Sequence, residues 1–447
     1  MGNKHSLFAD ACTHNRGVIV MTSSVPGRFV GVVLLVVATC AGGWAVAADA
    51  PPAFPSDGAM AVKLQPFIDN HVIAGAVVLV ANRDRVLDLE AVGYSNLPAQ
   101  KPMKTTDLFF IASQTKCFTA TALMMMVDEG KVNIDDPVEK YLPEFKGQMV
   151  EEAGNKGHPH APEHPITIKE VMSHTAALSK SQIKRYTLEE DVKEIAKLPL
   201  QWEPGTKYLY SEGPEIGGRI VEVVSGIPYP QFIQQRLLDP LGMKDTTFWP
   251  DAGQASHLAL THKYNPQTKT LEPIQLNSDL ISAGKCGTVP PIILSQFPAD
   301  MVPSYAHHFA KPTGSLFSTA LDLSKFCRML LNGGTYEGKT YISPAAFKQM
   351  TSIQTGDVLV GNGDNGYGLG LFVQRKAIPG VFSLGSFGHH GARKTQMWID
   401  PQNQLVMVLM VQCSELNNPQ QRDLYAAYHK QAIARYGKAS AQDTSSN

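Results

Sequence analysis

Two stretches near opposite ends of the 447-residue chain read as strand pairs, and they constrain the fold more than anything between them. "AGAVVLVANRDRVLDLEAVGYSN" (74–96) sets β-branched and apolar residues on either side of a polar turn, "NRDR". "TQMWIDPQNQLVMVLMVQCS" (395–414) repeats the arrangement around "DPQNQ", and its run from Leu405 to Val411 is apolar enough for a central strand covered on both faces. Strands contributed by both ends must meet in one sheet if neither is to leave an exposed edge. The expected fold is therefore α+β, an α/β sandwich: an antiparallel sheet built from both chain ends, helices on both faces, and an inserted, mostly helical subdomain.

Between the two ends the helical period dominates. Residues 113–129, 215–225 and 320–332 are each closed by a glycine, Gly130, Gly226 and Gly333, the usual left-handed stop of a helix. Thr319, with Asp322 three residues on, is the expected N-cap of the third. No internal repeat interrupts this pattern. A single folded unit over residues 61–435 is expected, preceded by a linker (48–60) and followed by a polar tail (436–447) of disordered composition.

The first 47 residues are a different kind of sequence. From Met21 the chain reads Arg28, then the apolar stretch "FVGVVLLVVATCAGGWAVA", then "ADAPPAFP", which is the layout of a secretory signal with a small-residue cleavage site at Ala45-Val46-Ala47. A retained membrane anchor is the alternative, since Phe29 to Ala47 is nearly long enough to span. Both place the bulk of the chain outside the cytoplasm, periplasmic or extracellular, with membrane contact only through a retained segment. Residues 1–20 are odd for a signal, so translation starting at Met21 is the simpler expectation.

Lys and Arg number 39 against 40 Asp and Glu, a balance that gives no global attraction to nucleic acid or anionic lipid. Cys117, Cys286, Cys327 and Cys413 are widely spaced and form no CxxC pair, so no metal framework is expected. His158, His160 and His164 in "HPHAPEHP" sit among prolines, poor preorganisation for a metal. No Gly-rich phosphate loop or dinucleotide fingerprint follows a strand. Neither a metal nor an organic cofactor is expected.

The chemistry concentrates in "IASQTKCFTATALMMMVDEG" (111–130), where Ser113 and Lys116 stand three positions apart at the head of an apolar run. On a helix, positions i and i+3 share a face, so the two side chains can meet. A serine hydroxyl is a weak nucleophile at neutral pH and needs a neighbouring base or cation, a part a lysine can play. Ser113 at the helix start also aims its own N–H outward, half of an oxyanion hole. The plainer alternative is a capping serine beside a solvated lysine, and S-x-x-K alone does not decide between them.

Context does. "LFFIASQTKCFTATALMMMVDEGKVNIDDPVEKYLPEF", "ITIKEVMSHTAALS", "EPGTKYLYSEGPEIGGRIVEVVSG" with "LLDPLGMKDTTF", "KPTGSLFSTALDLSKFCRMLLNGG" and "FGHHGARKTQMWID" follow one another along the chain. In this order they resemble the serine β-lactamase and penicillin-binding-protein superfamily, most closely the class C-like branch that includes esterases and D-amino-acid peptidases. The resemblance spans roughly residues 60–430 and implies a β-lactamase/transpeptidase-like fold. It implies Ser113 as the acylated nucleophile, Lys116 as its activating partner, and Tyr210 as the phenol that passes the proton to the leaving group. His389-His390-Gly391 falls where the family has K-T-G or H-x-G on the strand lining the cleft, which makes the N–H of Ala392 the second oxyanion donor opposite that of Ser113. Glycine is expected at 391 because a side chain there would crowd the acyl group.

Two departures from the family pattern bear on substrate. Tyr210-Ser211-Glu212 puts a carboxylate where the family has an asparagine, and an anion close to Lys116 would favour its charged form, making Tyr210 the base and Lys116 its electrostatic support. His389 replaces the lysine that fixes a β-lactam carboxylate and carries much less positive charge, with Arg393 as a substitute. His174 is expected to be structural. Glu212, His389, Gly391 and Arg393 are thus the expected substrate-binding set. The expected protein is an exported serine hydrolase acting through an acyl-serine on a small ester, amide, β-lactam or D-amino-acid peptide, with ester or peptide favoured. The alternative is a non-catalytic or slow-turnover acyl-binding homologue.

Overall fold

A computed structural model of the chain describes residues 54–151, 157–179, 187–265, 267–274, 293 and 309–438. The signal or anchor segment, Cys286 and the last nine residues of the tail lie outside the described residues.

The two strand pairs form where the sequence puts them and meet at the centre of one antiparallel sheet. β1 (Gly75–Ala81) and β2 (Val86–Asn96) come from the N-terminal part. Asn82 closes the turn between them by accepting from the amides of Asp84 and Arg85. The short β3 (Lys101–Pro102) follows, and the C-terminal part supplies β4 (Asn365–Tyr367), β5 (Phe372–Gln374), β6 (Phe387–His390), β7 (Gln396–Asp400) and β8 (Leu405–Val411). The eight strands run in the order β4-β5-β6-β7-β8-β1-β2-β3. β1 lies against β8 with Ala76 opposite Val411 and Ala81 opposite Val406, so the terminal segments are neighbours through their whole length.

Every residue of β1 and β8 is buried, because alternate side chains enter two different cores. Val77, Leu79, Val406, Val408 and Met410 face a core shared with the central helices. Ala76, Val78, Val80, Met407 and Leu409 face one shared with the terminal helices α1 (Ala59–Asp69) and α7 (Asn418–Tyr436). Tyr428 of α7 fastens the second layer to the sheet by donating to the Leu79 carbonyl at 2.6 Å.

Helices on the first face are α2 (Thr115–Asp128), α3 (Ile168–Met172), α4 (Leu188–Ala196), α5 (Gly213–Ser225) and α6 (Ala320–Leu331). Gly130, Gly226 and Gly333 all take left-handed φ beyond the helix ends, and Thr319 caps α6 by accepting from the Asp322 amide at 3.2 Å. Two boundaries differ from the sequence reading. α1 begins at Ala59, within the expected linker, and α7 runs through Tyr436, because buried residues on both helices close the second core. The helix expected from residue 113 begins as a turn of 3₁₀ helix at Ala112–Gln114. Cys117, Cys327 and Cys413 are buried free thiols.

Leu409, fully buried at the sheet centre, measures how far this layer carries stability. Leu409→Ala should cost about 2–5 kcal/mol in urea unfolding, and a loss below about 1 kcal/mol would show that β8 is not core.

Candidate active site

Ser113 is presented by a bend in the backbone rather than by helix geometry alone. Ala112, the residue before it, has φ of 46°, a left-handed conformation that costs an alanine about 1–2 kcal/mol. The bend is held from both sides. The Thr115 hydroxyl donates to the Ala112 carbonyl at 2.7 Å and accepts from the Leu316 amide at 3.2 Å, while the Ile111 amide donates to the Leu316 carbonyl at 3.0 Å. Ser113 remains partly exposed, and its N–H falls in the first turn, where no helical carbonyl precedes it.

Lys116 lies one turn on, its side chain 2% exposed. Its amine donates to Ser113 Oγ at 3.2 Å and to the Thr313 carbonyl at 2.7 Å, so the amine is fixed between the serine and the loop that leads into Phe317–Ser318. The spacing of three residues therefore does bring the two groups together. Tyr210 arrives from a separate segment just before α5, and its ring centroid lies 4.7 Å from Lys116 Nζ. Lys116 thus faces the ring of Tyr210. The Tyr210 hydroxyl makes no hydrogen bond among the described residues.

The position of Tyr210 depends on His174, for which sequence reading offered only a structural role. The Ser211 amide donates to His174 Nδ1 at 3.1 Å, and the His174 ring packs against Tyr210 at 4.5 Å between centroids. His174 has φ of 62°, a second left-handed residue at the site. Burial, helped by the charge of Lys116, pushes its pKa well below the usual histidine value, which keeps Nδ1 free to accept.

The third wall is the turn from β6 to β7. His389 is the last but one residue of β6, whereas Gly391, Ala392 and Arg393 lie beyond its end, in a tight turn closed by the Gly391 amide on the Thr395 carbonyl at 2.8 Å. The reason for glycine at 391 also differs from expectation. A Cβ there would stand 2.6 Å from the Ile111 carbonyl and 2.3 Å from Thr395 Oγ1, so the glycine lets the turn touch the backbone leading to Ser113. This contact sets Ala392, exposed beside it, close in the fold to the nucleophile turn.

His389 is 1% exposed and donates from Nδ1 to the His390 carbonyl at 2.7 Å, while its Nε2 pairs with the Tyr367 hydroxyl at 3.0 Å. Burial, then the neighbouring His390 and Lys116, hold its pKa well below the usual value. It is a neutral ring 6.1 Å from that of Tyr210, so it brings no cation to a substrate carboxylate. Arg393 is buried too. Its carbonyl accepts from the Cys413 amide at 3.1 Å.

Glu212 follows Tyr210 by two positions. It occupies the N-cap position of α5, and its charge acts on Glu215 and Lys311, while the Lys116 hydrogen bonds go to Ser113 and Thr313. Of the expected set, the structure brings together Ser113, Lys116, Tyr210, His389 and Gly391. Glu212 and Arg393 are drawn into neighbouring polar and buried contacts. Ala112, His174, Thr313 and Tyr367 complete the site, and no spacing in the sequence marks them.

A hydroxyl touching an amine, an aromatic phenol over that amine and an outward amide at a helix start define the site of a serine hydrolase, set on a mixed fold with one large antiparallel sheet. The Beta-lactamase family model matches residues 60–432, and the chain belongs to this family. An uncharacterized protein of Mycobacterium tuberculosis is 29% identical over 79% of this chain and 90% of its own length. A candidate D-alanyl-D-alanine carboxypeptidase of Salmonella agona is 28% identical over 78% of this chain and 81% of its own. Esterase EstB of Burkholderia gladioli is 28% identical over 44% of this chain and 54% of its own. Among solved structures, EstCE1, described as a hydrolase with promiscuous acyltransferase activity, superposes with a TM-score of 0.66 at 23% identity, over 83% of this chain and 97% of its own.

Gly391→Ala should push the turn away from Ile111 and lower kcat by about 10²-fold, the scale of an ångström misplacement. Ester hydrolysis by folded variant protein measures this, and an unchanged kcat would detach the turn from the chemistry.

Proposed function

We propose that the protein is an exported hydrolase that forms an acyl-enzyme on Ser113 from a small ester or D-amino-acid peptide. The observation carrying this reading is the 3.2 Å contact between Lys116 Nζ and Ser113 Oγ, with the ring of Tyr210 packed over the amine. Ser113 Oγ attacks the substrate carbonyl carbon, and its proton passes to the Lys116–Tyr210 pair. The oxyanion is received by the N–H groups of Ser113 and Ala392. The same pair returns the proton to the departing alcohol or amine, and water then releases the acyl group by the reverse route.

Glu212 lies in the field of Lys311, and the proton is shared by the Lys116–Tyr210 pair, with Tyr210 as the base where Lys116 is charged. Esters and peptides are favoured over β-lactams because the neutral His389 and the buried Arg393 offer no exposed cation to a β-lactam carboxylate. The esterase and carboxypeptidase relatives support the same preference. Export rests on the layout of residues 21–47.

Ser113→Ala should reduce p-nitrophenyl ester turnover by at least about 10³-fold and abolish fluorophosphonate labelling read by intact mass. Labelling that persists in the variant would move the nucleophile elsewhere. With benzylpenicillin the wild-type protein should hydrolyse more slowly than it does an acetate ester, and a larger kcat/KM for penicillin would overturn the substrate preference.

A further inference from the structure

Beyond Thr313, as seen from Lys116, lies a group of charges that the reaction above does not use. Glu215, in the first turn of α5, is fully buried. One carboxyl oxygen, Oε1, is 2.5 Å from the Thr313 hydroxyl, and the other, Oε2, is buried with no hydrogen-bond partner among the described residues. Thr313 therefore has two contacts of opposite reach. Its side chain meets Glu215, and its backbone carbonyl accepts from Lys116 at 2.7 Å.

The groups around Glu215 come from every neighbouring element. Lys311 faces it from the same loop as Thr313 and is paired with Asp191 of α4 at 3.3 Å. Glu212 faces it from the N-cap of its own helix. Tyr229 lies close enough for the Glu215 charge to act on it, and its hydroxyl is bonded to Thr119 of α2 at 2.7 Å. Lys116, also on α2, is reached through Thr313. Lys311 lies in the field of all three carboxylates, Asp191, Glu212 and Glu215. A second buried anion with an unpaired oxygen is far more costly than a neutral carboxyl in that place.

We propose that Glu215 is a positioning residue for Lys116, acting through Thr313, and that its uncharged carboxyl is the working form. The inference rests on the acyl-enzyme reading above. Burial, opposed by Lys311 and reinforced by Glu212 and Asp191, pushes the Glu215 pKa up to about 8. Below that pH the carboxyl and the Thr313 hydroxyl form a neutral bond that fixes the loop, leaving the Lys116 amine directed at Ser113. Above it, a full negative charge appears behind Thr313 and draws the amine away from the serine. The site is thus built to lose activity on the alkaline side through a group that never touches substrate.

The test is the pH dependence, from pH 6 to 10, of the second-order rate at which a fluorophosphonate labels Ser113, read by intact mass. In the wild-type protein the rate should fall with an inflection near the Glu215 value. Glu215→Gln keeps the shape and the bond to Thr313 but cannot ionise, so the inflection should move up by at least about one pH unit and the ratio of rates at pH 9 and pH 7 should rise several-fold. Thr313→Val removes the hydroxyl and keeps the carbonyl. With its partner gone Glu215 becomes harder to ionise, so here too the inflection should move up, with the rate at pH 7 several-fold lower. A wild-type profile in Glu215→Gln overturns the proposal. If that variant does not fold, an unshifted profile in Thr313→Val overturns it. Absence of Ser113 labelling at every pH would instead sink the acyl-enzyme reading, so the two failures are distinguishable.

Discussion

The pairing of β1 with β8 is the constraint on which the rest of the molecule depends. It joins segments from opposite ends of the chain into the middle of one sheet, and its alternating side chains supply both cores at once. Everything between these strands has to leave the sheet and return to it, which produces the helical insertion. The path returns through β6 and β7, so the turn at Gly391 is delivered to the same sheet whose face carries α2. Only glycine lets that turn approach the Ile111 carbonyl closely. The contact between Gly391 and Ile111 is thus a direct consequence of sheet closure, and it brings one wall of the site to the backbone of the nucleophile.

Within that frame the site is held by strain and burial together. Ala112 and His174 both occupy left-handed backbone conformations, and each is fixed by hydrogen bonds of its neighbours: Thr115 and Leu316 at the first, Ser211 at the second. Two unfavourable conformations, one in the segment that presents Ser113 and one at the residue that supports Tyr210, accord with the view that local strain is retained where geometry matters for chemistry. Burial does the electrostatic part. It keeps His174 and His389 neutral, so that they shape and support the aromatic wall without competing with Lys116 for negative charge.

Glu212 shows how much a sequence departure leaves for the fold to place. Set in a row of letters, a glutamate two positions after Tyr210 looks like a charge placed on the catalytic lysine. In the fold it stands at the head of α5 among Glu215, Lys311 and Asp191, a group of four ionisable residues drawn from three separate segments. Arg393 is a parallel case. Its place beside the Gly391 motif suggested a substrate contact, but the turn carries it into the interior near Cys413.

Periodicity and local chemistry were enough to read the strand pairs, the three glycine-stopped helices, the Thr319 cap and that Ser113 can reach Lys116, because each is decided by residues within a few positions of one another. The order of five motifs was enough for the family. Tertiary structure alone decided that Thr313 holds the Lys116 amine, that His174 fixes the Tyr210 segment, that His389 is buried against Tyr367, and that Gly391 serves the backbone of Ile111. Those relations join residues far apart in the chain, across surfaces that exist only once the sheet has closed, and no local preference encodes them.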